Sequence, residues 1–208
     1  MSVPTTQAGI ELPRWDFSNV YPALDSEDYA AGGERMKREI DELDAFLGRA
    51  LPKAAMDAGA QQVGQVLDEA VQRFNSLYEL AGTRQAYING FVATDSRNAL
   101  AAKALSVHEQ SEMRLEQLGL RFRSWLGSLG AVLEDAISLG GVTQAHAFIL
   151  REMAAQARYL RLQAAVGLFQ ALGGDWSAGA ATGEAAKLAA SVDKIPPSPL
   201  PFEALKTE

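Results

Sequence analysis

Apolar residues return every three or four positions along most of this chain, which is the period of a helix with one buried face. Met36, Ile40, Leu43 and Leu47 mark a first stripe. Val63, Leu67, Ala70, Phe74, Leu77 and Ala81 mark a second, which Tyr87, Ile88 and Phe91 carry past Gly82. Ala101, Ala104, Leu105, His108, Leu115, Leu118, Phe122 and Leu126 mark a third. Shorter apolar patterns follow at Leu129 to Ile137 and Ala145 to Leu160, separated by Gly140-Gly141 with Thr143 as a candidate cap. No run of alternating β-branched residues and no repeat of fixed period interrupts this texture. The pattern predicts an all-α protein built as a bundle of long antiparallel helices.

Punctuation sets the boundaries. Asp25 and Ser26 can cap the first helix, with Glu27 and Asp28 favourably placed in its first turn. Gly32 and Gly33 each weaken that helix by roughly 1 kcal/mol relative to Ala, so its start is expected to kink or fray. Leu51-Pro52 and the stretch Asp57 to Ala60 read as a connection, Thr94-Asp95-Ser96 as a break with a fresh cap, and Gly127 and Gly130 as the end of the third helix. Pro13, Pro22, Trp15, Phe17 and Tyr21 make residues 1–25 an extended lead, whose aromatics are expected to staple it to the core. Residues 26–172 form the helical domain. Residues 173–208 form a flexible tail, rich in Gly and Ala and then in Pro196, Pro197, Pro199 and Pro201.

Charge narrows the partners. With 19 Lys and Arg against 26 Asp and Glu, the net charge of -7 repels nucleic acid and anionic lipid. The 208 residues, 48% of them hydrophobic, suffice for one sizeable core. No cysteine is present, which excludes disulfides and thiolate chemistry. The opening residues carry neither a basic stretch nor an apolar run, and charges recur too often for a spanning helix. A cytoplasmic protein is the expectation.

Candidate chemistry is sparse. Single-zinc hydrolysis commonly needs three protein ligands, and its helical form is HExxH. The nearest approach here is His108-Glu109-Gln110-Ser111-Glu112, with Glu112 where the second His would stand. A His and a carboxylate at i and i+4 can hold a metal loosely, but His108 lies on the apolar stripe, where a core histidine satisfied by one hydrogen bond is commoner. His146 stands alone near a helix start. No Gly-x-Ser-x-Gly elbow and no phosphate loop accompany them, and Gly-Gly at 32–33, 140–141 and 173–174 reads as linker or cap. The sequence therefore assigns no catalytic, cofactor-binding or metal-ligating residue.

The lead carries a family resemblance. Pro13-Arg14-Trp15-Asp16-Phe17-Ser18-Asn19-Val20-Tyr21-Pro22 resembles the element that precedes the first long helix in oligoendopeptidase F proteins. The helix around Ala70 to Ala81, Tyr87, the Thr94-Asp95 break, the long helix to Trp125 and the segment Ala145 to Leu160 are similar to that family's amino-terminal domain in the same order. Residues 161–176, ending Ala171-Leu172-Gly173-Gly174-Asp175-Trp176, instead resemble the carboxy-terminal end of outer-membrane efflux proteins.

The oligoendopeptidase F resemblance implies a cytoplasmic zinc metallopeptidase that cleaves short peptides in a helix-lined channel. This chain would form one wall, with zinc and the HExxH helix in the remainder of the enzyme, and would be inactive by itself. Apolar side chains that face the catalytic half would then lack partners, with Leu115, Phe122, Trp125, Phe148 and Ile149 the candidates and self-association a consequence. The alternative is an independent helical protein-interaction module.

Overall fold

The computed structural model describes residues 16–53 and 59–171. Among them are the helices α1 (Glu27–Lys53), α2 (Ala60–Thr94), α3 (Ala99–Leu126), α4 (Ala131–Ser138), α5 (Gly141–Ala145) and α6 (Ala147–Ala171), and no strand. The protein is all-α. Trp15 and the tail from residue 173 lie outside the described residues.

Side-chain pairs fix the directions of the helices. Arg84 of α2 meets Tyr29 at the start of α1, while Arg73, ten or so residues earlier on α2, lies over Phe46 near its end, so α1 and α2 are antiparallel. Gln85–Glu112 and Phe74–Phe122 contacts likewise make α2 and α3 antiparallel. Arg114–Asp41 and Arg121–Asp44 pairs run in step, so α1 and α3 are parallel, and each of the three helices packs against the other two. These last two pairs are exposed and report register more than stability.

The three stripes predicted from periodicity close on one another. Met36, Ile40, Leu43 and Leu47 meet Val63, Leu67, Phe74 and Leu77 of α2 and Leu115, Phe122 and Leu126 of α3 in one core, which Leu133, Ile137, Leu150 and Met153 seal at the far end. Leu51 continues the α1 stripe and is buried, and the helix runs through Pro52 instead of ending before it. Burial of Leu51 offsets the hydrogen bond that the proline cannot make.

Caps also differ in detail from the expectation. Ser26 does cap α1, its Oγ accepting from Tyr29 N at 3.2 Å. The chain breaks after Thr94, but the cap of α3 falls to Asn98, whose Oδ1 accepts from Ala101 N at 3.0 Å. Thr143 is not a cap. It is fully buried, and both its N–H (2.6 Å) and its hydroxyl donate to Asp68 Oδ1 on α2, so a carboxylate from a neighbouring helix holds the start of α5. Gly141, at φ +77°, sits so close to Asp68 that a Cβ there would come within 2.7 Å of its Oδ2.

Gly32 and Gly33 produce no break, and α1 is continuous across them. Their role is clearance: a Cβ on Gly32 would stand 2.8 Å from Arg84 Nη1 and 3.0 Å from Tyr21 Oη, and one on Gly33 would stand 3.1 Å from Arg84 Nη2. Gly48, on the exposed side of the same helix, has only ordinary contact, 3.6 Å from Arg121 Nη2. Replacing a helical Gly by Ala is normally stabilising by about 1 kcal/mol. Gly48→Ala should therefore raise stability by about that amount, whereas Gly32→Ala should lower it by about 1–2 kcal/mol as the Arg84 and Tyr21 side chains are displaced. Urea denaturation of the two variants checks this, and equal gains at both positions would contradict it.

Candidate functional site

At the end of the bundle where α1 begins, a second apolar cluster forms from Leu24, Tyr29, Tyr87, Ile88 and Ala101. Phe17 and Tyr21 of the lead pack against it, as the aromatic content of that segment predicts. Tyr21 meets Tyr29 and Tyr87 edge to face, with centroids 5.4 and 5.1 Å away, and Tyr87 Oη donates to the Tyr21 carbonyl at 2.9 Å. Phe17 lies over Gly90, where a Cβ would come within 2.9 Å of its ring.

Arg84 is the polar centre of this end. It occupies the core-facing stripe of α2, between Leu77, Ala81 and Ile88, and is 5% exposed. Its Nη1 donates to the Tyr29 carbonyl at 2.8 Å, and its guanidinium carbon lies 4.2 Å from the Tyr29 ring centroid and 5.8 Å from that of Tyr21. Nε has no hydrogen-bond partner, and among the described residues no carboxylate pairs with the guanidinium. A charged residue on the apolar stripe of α2 is the one sequence signal that could have marked this position, and the Gly-Gly pair facing it is visible only in the structure.

A cleft of about 300 Å³ opens beside Arg84, between α1 and α3. Its walls are mainly apolar, with Leu24 and Met36 on one side and Leu100 and Val107 on the other. Lys37 and Lys103, both exposed, stand at its edges, and among the described residues Glu34 is the one carboxylate of its lining. The Glu34 carboxyl is held below its usual range by the hydrogen bond it accepts from Lys37 Nζ at 2.8 Å.

His108 also lines this cleft, 3% exposed. Its Nε2 stands 3.2 Å from Glu112 Oε1, but the contact lacks hydrogen-bond geometry and neither ring nitrogen has a hydrogen-bond partner. The core histidine anticipated from the sequence is thus in place, without the single hydrogen bond expected of it. His146 is elsewhere, in the junction between α5 and α6, where its N–H donates to the Val142 carbonyl and its own carbonyl accepts from Leu150 N. Among the described residues no three His, Asp or Glu side chains gather as metal ligands.

The apolar face expected to be left uncovered is redistributed. Leu115, Phe122 and Trp125 of α3 are buried in the main core, which α2 and α6 cover, and Ile149 of α6 is partly buried against it; only Phe148, 79% exposed, fits the expectation. The uncovered apolar side chains lie further along α6. Ala154 is its last buried residue, Gly127 admits it closely enough that a Cβ there would come within 2.8 Å of Ala157 Cβ, and every residue from Arg158 to Ala171 is exposed. Tyr159, Leu160, Leu162, Val166 and Leu168 are among these. No helix among the described residues is long and apolar enough to cross a membrane.

A scan of protein-family models gives no match to the chain, and searches of the curated proteins and of the solved structures give no significant similarity.

Burial raises the pKa of the Tyr29, Tyr78 and Tyr87 phenols above the ordinary 10.0, and nearby Arg84 partly opposes this at Tyr29. A group whose folded pKa lies above its unfolded value stabilises the fold fully below the unfolded pKa and ceases to do so as pH rises through the folded one. The denaturation midpoint should therefore be steady from neutral pH up to about pH 9.5 and fall above it, and Tyr78→Phe should flatten the fall. A midpoint independent of pH across this range in the parent chain would contradict the burial assigned to the three rings.

Proposed function

We propose that this chain is the amino-terminal, non-catalytic part of an oligoendopeptidase F-like zinc peptidase that cleaves short peptides. It forms one wall of the peptide channel and docks on the catalytic half through the outer end of α6. The observation that carries the docking is the run of exposed residues from Arg158 to Ala171, on which Tyr159, Leu162 and Val166 fall at helical spacing along one face. Contiguous apolar side chains of this kind are unusual on a monomer's surface and favour association at about 25 cal/mol per Å² covered. Residues 16–22 of the sequence element behind the family resemblance are part of the fold, since Phe17 and Tyr21 fasten them to α1 and α2. Zinc, peptide substrates and a cytoplasmic location belong to the complete enzyme of this proposal.

An independent helical interaction module is the second reading, and the closure of the main core favours it. Leu115, Phe122 and Trp125 find their packing partners within the chain and need no further domain to cover them.

The two readings separate in a reconstitution experiment. The purified chain alone should hydrolyse no peptide. Mixed with a separately expressed catalytic half of an oligoendopeptidase F enzyme, it should form a stoichiometric complex in sedimentation equilibrium. The double variant Leu162→Glu with Val166→Glu should weaken that complex at least about tenfold, about 1.4 kcal/mol, while changing the stability of the isolated chain by less than about 0.5 kcal/mol, because both positions are already exposed. A chain that stays monomeric, binds no hydrophobic dye and ignores the catalytic half would favour the independent module.

A further inference from the structure

The protein carries a formal charge of -7, yet the cleft between α1 and α3 reverses that sign. Among the described residues, Arg84, Lys37 and Lys103 border it against the one carboxylate of Glu34, which Lys37 already engages. A buried guanidinium without a counter-ion is costly, and the Tyr29 carbonyl and the two tyrosine rings compensate it only in part. In the same wall, His108 is a second buried polar side chain whose ring nitrogens make no hydrogen bond, its Nε2 standing 3.2 Å from Glu112 Oε1 without the geometry for one. Unsatisfied polar groups of this kind, converging in the wall of a largely apolar cleft, are the usual composition of a small-molecule site.

We infer that this cleft binds a small monocarboxylate with an apolar body, such as a medium-chain fatty acid. The carboxylate pairs with the cationic side, where Arg84 provides the fixed charge and the two lysines the solvated ones. The hydrocarbon lies against Leu24, Met36, Leu100 and Val107. A volume of about 300 Å³ suits a ligand of this size and is too small for a folded protein segment of any length.

This site does not rest on the peptidase reading, and its test is separate from reconstitution. The full chain carrying Leu162→Glu and Val166→Glu, which removes adventitious binding on α6, is titrated by calorimetry with octanoate and with octanamide, its neutral isostere. Octanoate should bind saturably with one equivalent per chain, at least tenfold more tightly than octanamide. Adding Lys37→Ala and Lys103→Ala, both on exposed side chains and so harmless to folding, should weaken octanoate at least threefold and leave octanamide unchanged. Ala104→Phe, which fills the cleft, should weaken both ligands. Amide chemical-shift changes on octanoate addition should centre on residues of α1 and α3 that border the cleft. Absence of saturable octanoate binding, equal affinity for the two ligands, or shifts confined to α6 would each overturn the assignment.

Discussion

The guanidinium of Arg84 is held at the junction of three separate pieces of chain, and its charge dictates what each of them can be. It donates to a carbonyl of α1, faces the rings of Tyr21 in the lead and Tyr29 in α1, and lies where a Cβ on Gly32 would crowd it and one on Gly33 would press on it. Taking such a cation out of water costs several kcal/mol. A charge-assisted hydrogen bond returns about 1.5–3 kcal/mol and a desolvated cation–π contact about 2, so the ring placement is part of the electrostatics and not only of the packing. Tyr21 serves both purposes, and with Tyr87 Oη donating to its carbonyl it fastens residues 16–25 to the bundle.

The opposite end of the bundle uses the reverse charge. Asp68, on the same long helix α2, reaches the first turn of α5 and takes two hydrogen bonds from Thr143, so the α4–α5 corner is tied to the bundle by an anion as the lead is tied by a cation. Between these points the core is conventional, with three apolar stripes meeting along α1, α2 and α3 and α6 completing it only as far as Ala154. What lies outside this frame is what bears on function: the cleft that opens beside Arg84, and the end of α6 that the bundle does not cover.

Helical periodicity made the core legible, because buried apolar residues recur three or four positions apart, as Met36 does with Ile40 and Leu67 with Val63, Ala70 and Val71. The lead was legible through its aromatics. Long-range polar contacts were not, since neither Arg84 with Tyr29 nor Asp68 with Thr143 leaves a local pattern, their partners being 55 and 75 positions apart. Gly32 and Gly33 were misjudged for the same reason: read locally they weaken a helix, and only the partner on α2 explains them. The uncovered face was misplaced because the width of an apolar stripe does not say which neighbour will cover it, and α2 and α6 cover Phe122 and Trp125 while α6 leaves its own Leu162 exposed.

Native-state hydrogen exchange of an Arg84→Met chain tests most directly whether this buried cation organises the lead end. Methionine keeps much of the volume and removes the charge, the hydrogen bond to Tyr29 and the cation–π contacts. The account predicts that amides of residues 17–36, and those of α2 around Tyr87, lose protection by about 2 kcal/mol while amides around Leu43, Leu67 and Leu126 keep theirs. Undiminished protection at the lead end, or an equal loss through the whole bundle, would contradict it.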